Sequence, residues 1–359
     1  MPAKRVSSSA RQRAVQMSGD ADVIEGPLKG YHHETYVIPL PAEIVGPEPV
    51  RGKFREPRSN LLWFDRRCFA SEGKLLRALQ GRITGIPELI NLDDGLRLQR
   101  FIEGRTLGSL HASGEGVPED LVNQILLLFR DLARVTVLSL DVERECRPED
   151  RSPEGHTAGF LDHLICFAEE RVYRENEKRF PGLFASLGVD DRSFMRLRRH
   201  VAGLSERPFC LLHADLHREN FVVDDRRRLW TIDWELAMFG DPLYDLATHL
   251  YLMRYPEAQQ ELMAKRWCEA MEEVRPGSSR GWEEDLPRLL DFKRAQSVFT
   301  DIVRAIGLLD SPPGADRIVL TRQAVQLRRV LTGAAETLGL DGVPSLPEVE
   351  AALARWRRR

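Results

Sequence analysis

Asp215, Asn220 and Asp233 are the residues whose types and spacing speak most directly of chemistry. Two short apolar runs, Phe221–Val223 and Leu229–Ile232, flank the charged stretch Asp224–Arg228. This is a β-hairpin pattern with a loop of about five residues. Asn220 lies just before the first run and Asp233 just after the second. Antiparallel pairing sets such ends side by side, with opposed Cα atoms roughly 4.5–5.5 Å apart. Asp215 stands on the loop leading into the hairpin, so two carboxylates and one amide converge at one end of a short ribbon. Hard oxygen donors of this kind suit Mg2+, which keeps several waters and shares its coordination with substrate phosphates. His213 and His217, four residues apart, have a spacing found in zinc sites. No further soft ligand accompanies them, so a bracing role for His213 on the loop is the better reading.

The elements that must hold this ribbon follow from the rest of the chain. Its 359 residues, 42% hydrophobic and 30% charged, are enough for one large bilobal domain or two ordinary ones. A net charge of −3 argues for no nucleic-acid or membrane partner. Five scattered cysteines without a CxxC pair argue against a disulfide framework or a structural zinc site and for a reducing, cytoplasmic location. No apolar run reaches the roughly 18 residues of a spanning helix. Residues 1–22 are rich in Ser, Arg and Ala without sustained periodicity, which predicts a disordered leader. Residues 23–104 carry mostly strand signals: Thr35–Ile38, Val50–Phe54, and the runs Ile86–Asn91 and Leu96–Ile102 flanking the turn Asp93–Gly95. One helix interrupts them, expected over Asp65–Leu79. Beyond Gly104 helical spacing dominates: Asp120–Leu140, Thr157–Tyr173, Asp190–Leu204, Pro242–Arg254, Pro256–Val274, Trp282–Leu309, Asp316–Leu338 and Leu346 to the end. The fold class is α+β, with a small β-rich lobe over 23–104 and a larger, mainly helical lobe over 105–359.

The segment His213-Ala214-Asp215-Leu216-His217-Arg218-Glu219-Asn220 fits HxDxxxxN. Ile232-Asp233-Trp234-Glu235 follows, and then Gly240-Asp241-Pro242-Leu243-Tyr244-Asp245-Leu246-Ala247. Three spaced elements in this order, over about forty residues, resemble the aminoglycoside phosphotransferase and choline kinase family, which has the bilobal protein-kinase-like fold. The resemblance implies that Asp215 is the catalytic base toward an attacking hydroxyl. It also implies that Asn220 and Asp233 hold Mg2+ against nucleotide phosphates. Trp234-Glu235 in place of the Phe-Gly of protein kinases favours a small-molecule kinase. Asp241 before Pro242 reads as a helix N-cap followed by proline at the first helical position, and Asp245 as a tie on the catalytic loop.

In the first lobe the resemblance places a phosphate-covering loop over Gly26–Tyr36, where Gly26 and Gly30 are the glycines present. Only seven of 52 basic residues are lysine, and Lys53, in the strand VRGKF, is the candidate for the nucleotide-phosphate lysine. A lysine aimed inward from a strand needs a carboxylate partner, and Glu72 is at a suitable sequence distance. The resemblance places the hinge near 100–107, with backbone groups of Phe101, Ile102 and Glu103 reading the purine of ATP or GTP. The acceptor would bind between the catalytic loop and the C-terminal helices, where Glu269, Glu272, Glu273 and Asp301 are available for a cationic substrate. The implied partners are a nucleoside triphosphate and a small hydroxylated molecule. An antibiotic of aminoglycoside, nucleoside or peptide type is favoured as acceptor. A metabolic kinase for choline, a sugar or an amino alcohol is the alternative. A pseudokinase scaffold is a further one, and the presence of Asp215, Asn220 and Asp233 speaks against it.

Overall fold

A computed structural model describes residues 8–28, 33–46, 49–57, 66–92, 97–309 and 316–357. Five strands form the first sheet: β1 (Glu25–Leu28), β2 (His33–Pro39), β3 (Arg51–Pro57), β4 (Leu89–Asn91) and β5 (Arg97–Arg100). Their order is β1-β2-β3-β5-β4, with antiparallel neighbours. Successive side chains of a strand point to opposite faces, and this alternation gives β3 its two roles. Phe54 and the side-chain-free Gly52 face a small core with Tyr36, Ile38 and Leu98. Arg51, Lys53 and Arg55 face the other way.

Residues Ser9–Ser18, expected to be without order, form helix α1, which closes the small core with Ala10 and Ala14. Ser8 caps its first turn by accepting from the Arg11 N–H, and Gly19 ends it in the left-handed conformation. Two alanines four residues apart suffice to dock one short helix face, a pattern too slight to register as hydrophobic periodicity. Helix α2 spans Glu72–Leu79 and so starts later than the expected Asp65, which lies outside the described residues. Ser71 caps it by accepting from the Lys74 N–H, and Phe69 is drawn instead into a β-bridge with Arg144. Leu75, Leu76 and Leu79 of α2 belong to the large core of the helical lobe. The two lobes therefore share packing.

The chain leaves the first sheet at Arg100 and enters a second one at β6 (Arg105–Thr106), which pairs with β8 (Phe221–Val223). Gly104, at φ 151°, sits so close to the Val223 carbonyl that a Cβ would lie 2.4 Å from its oxygen. The helical lobe contains α3 (Glu119–Arg134), α4 (Thr157–Phe167), α5 (Asp191–His200), α6 (Pro242–Met253), α7 (Glu257–Val274), α8 (Trp282–Leu309), α9 (Asp316–Leu338) and α10 (Leu346–Arg357). Strands β7 (Cys210–Leu212) and β10 (Met238–Gly240) pair antiparallel beneath the site. Arg207, fully buried before β7, donates to Asp241 at 2.8 Å and to Asp285. Asp241 also accepts from Thr157 and caps α6 through the Leu243 N–H, with Pro242 next in line. One guanidinium thus ties the entry to β7, the start of α6 and the start of α8 into a single buried network.

Candidate active site

The hairpin of β8 and β9 (Leu229–Thr231) pairs Phe221 with Thr231, and the Ile232 N–H reaches the Asn220 carbonyl at 2.9 Å. Asn220 and Asp233 therefore flank the same end of the ribbon. Asn220 is buried and donates its amide to the Asp215 carboxylate at 3.0 Å and to the Asp215 carbonyl at 2.9 Å. Its own side-chain oxygen is left for another partner. The loop before it is under local strain, because Ala214 has φ 64°, a left-handed conformation that costs an L-residue roughly 1–2 kcal/mol. Asp245 offsets this by accepting from the His213 N–H at 3.0 Å and the Ala214 N–H at 2.8 Å. Burial pushes the Asp245 carboxyl up to about 6 against the pull of those two donors. His213 is buried, faces the Ile232 carbonyl at 3.2 Å and packs edge-on to Trp234. Burial holds its pKa below the usual imidazole value. His217 lies 3.4 Å from Asp215; burial lowers its pKa, but the carboxylate outweighs this and raises it above 6.5.

On the opposite wall, Arg55 holds the position at which sequence reasoning expected a lysine–glutamate pair. Its guanidinium meets Glu72 at 2.7 Å, Glu235, and Asp233 at 3.5 Å. Glu72 is completed by Gln99 at 2.7 Å and by the Trp234 N–H at 2.9 Å, and Glu235 by Arg67 at 2.6 Å. The helix α2 carboxylate is thereby bound to the backbone directly after Asp233. Lys53 is on the same face of β3, with no carboxylate within salt-bridge distance among the described residues. Burial and the Arg55 charge lower its pKa, while Glu72, Asp233 and Glu235 oppose them. Glu72 is thus near Lys53 electrostatically but paired with Arg55. For Asp233, burial pushes the carboxyl up, and Arg55, Lys53, His213 and His33 overcome it to leave the net shift downward.

Lys53, Arg55, Gln99, Asn220 and Asp233 line a cleft of about 940 Å³ between the lobes. Phe101 and Ile102 line it as well, from the segment joining β5 to β6. The Phe101 N–H is taken by the Arg51 carbonyl at 2.8 Å, and the Arg51 side chain lies over the Phe101 ring. Glu103 instead turns its carboxylate onto Arg51, with contacts of 2.7 and 2.6 Å, and is not part of the cleft wall. Gly30 and His32 lie outside the described residues. His33, at the start of β2, contacts both Arg55 and Glu235 at 3.1 Å.

A second cavity of about 330 Å³ is lined by Ala214 and Asp215 of the loop leading into the hairpin and by residues of helices α6 and α8. Asp233 lines both cavities, Asp215 the smaller and Asn220 the larger. None of the acidic residues expected to receive a cationic acceptor lines the smaller one. Glu272 accepts from Gly277 and Ser279 in a loop, Glu273 pairs with Arg130, and Asp301 pairs with Arg304. Sequence reasoning missed Arg55 and Glu235 as site residues. The alternation of Arg51, Lys53 and Arg55 along one strand face was the signal available for the first. Glu235 had a weaker one, its adjacency to Asp233.

Solved structures with this architecture include a choline/ethanolamine kinase family protein from Mesorhizobium loti, 16% identical, covering 96% of this chain and 98% of that one at a TM-score of 0.50. A macrolide 2′-phosphotransferase from Brachybacterium faecium is 15% identical over 91% of this chain and 94% of that one, also at 0.50. A candidate aminoglycoside phosphotransferase from Ralstonia eutropha is 12% identical over 87% and 91%, at 0.55. At these identities the likeness speaks for the protein-kinase-like fold alone. No curated protein matches the chain. The model of the phosphotransferase enzyme family matches residues 63–284, more than half of the sequence and all of the β8–β9 hairpin with the loop before it, and the chain belongs to that family.

Proposed function

We propose that the chain moves the γ-phosphoryl group of ATP or GTP to a hydroxyl of a small molecule, with an antibiotic as the leading acceptor class. The meeting of two cavities at Asp233 carries this reading: the larger suits a nucleotide, the smaller an acceptor, and Asp215 lines the smaller one. In this reading Asp215 orients and deprotonates the attacking hydroxyl, held in place by the Asn220 amide. The donor set fits Mg2+: the Asn220 side-chain oxygen is left over, and the Asp233 carboxylate is half-exposed between the cavities. The ion, when bound, neutralises charge on the nucleotide phosphates. Lys53, with no carboxylate of its own, supplies charge for those phosphates. Glu72 sets the position of Arg55 and of the Asp233–Trp234 backbone. Phe101 and Ile102 provide the surface for the purine, and Glu103 stabilises that segment through Arg51.

The test is a transfer assay with Mg2+ and either ATP or GTP against hydroxylated antibiotics and metabolites. Asp215→Ala should lower transfer by about 10²–10⁴-fold or more, as loss of a general base does. Nucleotide affinity should stay within a few-fold, because Asp215 is not a phosphate ligand in this reading. Retained turnover in that variant refutes the assignment of Asp215. Absence of transfer across the whole panel, with nucleotide still bound, favours a nucleotide-binding scaffold instead.

A further inference from the structure

The smaller cavity is walled by cations. Arg66, which lies ahead of α2, and Lys293 and Arg304 of α8 line it, and its carboxylates are Asp215 and Asp233. Both carboxylates are engaged at the transfer end: Asp215 with Asn220 and His217, Asp233 with Arg55. The far wall therefore presents positive charge with no acidic lining residue set against it. Lys293 shows this most clearly. Its half-buried ammonium donates to the Gln296 side-chain oxygen at 2.8 Å and to the Tyr244 hydroxyl at 3.1 Å, and lies 4.8 Å from the Tyr244 ring centre. Among the described residues no carboxylate comes within salt-bridge distance of it. Arg66 donates to the Asp150 carbonyl, again a neutral partner. Arg304 has Asp301 at 3.5 Å.

The arrangement along α8 is regular. Lys293, Gln296, Ser297, Thr300 and Arg304 all line the cavity, at the i, i+3, i+4, i+7, i+11 spacing of one helix face. The hydrogen bonds of Lys293 go to neutral groups, and the buried Asp245 carboxylate acts on it only from beyond salt-bridge distance, so a cation partly removed from water lacks a direct anionic partner. An anion on the ligand supplies what is missing, and a polycation would add like charges beside three fixed ones.

We infer that the acceptor carries an anionic group, a carboxylate or a phosphate, seated on Lys293 with Arg66 and Arg304 around it, while its hydroxyl faces Asp215. The inference rests on the kinase reading above and narrows it. Polycationic aminoglycosides are not acceptors, and an anionic antibiotic or metabolite is.

Matched sugars on one hydroxylated scaffold test this directly. The full chain is saturated with Mg2+ and a non-hydrolysable ATP analogue. Binding of D-glucuronate, D-glucose 6-phosphate, D-glucose, D-glucosamine and kanamycin is then measured by calorimetry. At least one of the two anionic sugars should bind tenfold or more tightly than glucose, and which one does so separates carboxylate from phosphate recognition. Glucosamine and kanamycin should bind no better than glucose. Lys293→Gln should reduce the anion preference to within threefold and Lys293→Arg should retain it. Unchanged affinity for the nucleotide analogue in both variants reports an intact fold. Tighter binding of glucosamine or kanamycin than of glucose overturns the inference. So does an anion preference that is missing in the parent chain or that survives Lys293→Gln. Failure of the kinase reading shows separately, as no transfer from ATP to the preferred sugar or to any other acceptor, with the Lys293-dependent preference intact.

Discussion

Replacing Arg55 by leucine removes a cation that joins β3, helix α2 and the segment after Asp233. The side chains of Arg55, Glu72 and Glu235 are only 13%, 11% and 9% exposed, so solvent screens their interaction little. Deleting one partner of a buried ion pair costs about 3–5 kcal/mol, because the remaining charge is stranded. Here the stranding is partial. Glu72 keeps Gln99 and the Trp234 N–H, and Glu235 keeps Arg67. The lower end is therefore expected, about 3 kcal/mol, or roughly a hundredfold in the folding equilibrium. Urea denaturation of Arg55→Leu, Glu72→Gln and the double variant measures it. Because the double variant strands no charge on Glu72, it should be more stable than the sum of the single losses predicts, by about 1–2 kcal/mol. The sign of the pH dependence is also fixed. Burial already raises the Glu235 carboxyl, and loss of Arg55 raises it further. An acid with a raised folded-state pKa binds more protons folded than unfolded, so the deficit of Arg55→Leu should shrink as pH falls from 8 toward 5.5. A loss below about 1 kcal/mol, strictly additive singles, or a deficit that grows on acidification refutes the reasoning.

Three further outcomes are expected. Asp233→Ala should abolish the Mg2+ dependence of nucleotide binding, and titration of the nucleotide with and without Mg2+ would expose an unchanged dependence as fatal to the metal assignment. His217, whose pKa is raised by Asp215, should give the pH profile of kcat/KM an inflection above pH 6.5, with the rate rising as the imidazole loses its proton and its charge beside the Asp215 carboxylate disappears. His217→Asn should lack that inflection, and its persistence would remove His217 from the account. Asp245, at about 6 in the folded chain against 3.8 for a free carboxyl, should make stability fall as pH rises from 4 to 6. In Asp245→Asn that slope should disappear while transfer falls at least tenfold, since one amide oxygen replaces two acceptors; an unaltered slope assigns the effect elsewhere.

The convergence of Asp215, Asn220 and Asp233 was legible because it is local: the three lie within nineteen residues and one hairpin sets their geometry. The bounds of α8 and α9 match the periodicity expected for Trp282–Leu309 and Asp316–Leu338, as long amphipathic segments allow. Helix α1 escaped because its docking face is two alanines. The Arg55 network escaped because its partners are brought from α2 and from beyond β9, and pairing between distant segments leaves no spacing to read. The smaller cavity escaped for the same reason. Arg66 and Lys293 are more than two hundred residues apart in sequence, whereas Glu272 and Glu273, expected to line the cavity, are engaged at other surfaces.

The buried Arg207 network has a bearing on how such an enzyme changes its clientele. Asp285 anchors the first turn of α8, and Lys293 follows about 12 Å further along the axis at 1.5 Å per residue. The helix is thus fixed at the end nearest β7, while the face lining the cavity begins more than two turns away. Mutations at 293, 296, 297, 300 and 304 can accumulate without touching the anchor or the loop that carries Asp215. A library randomised at those five positions alone would explore new acceptors on an unchanged phosphoryl-transfer engine.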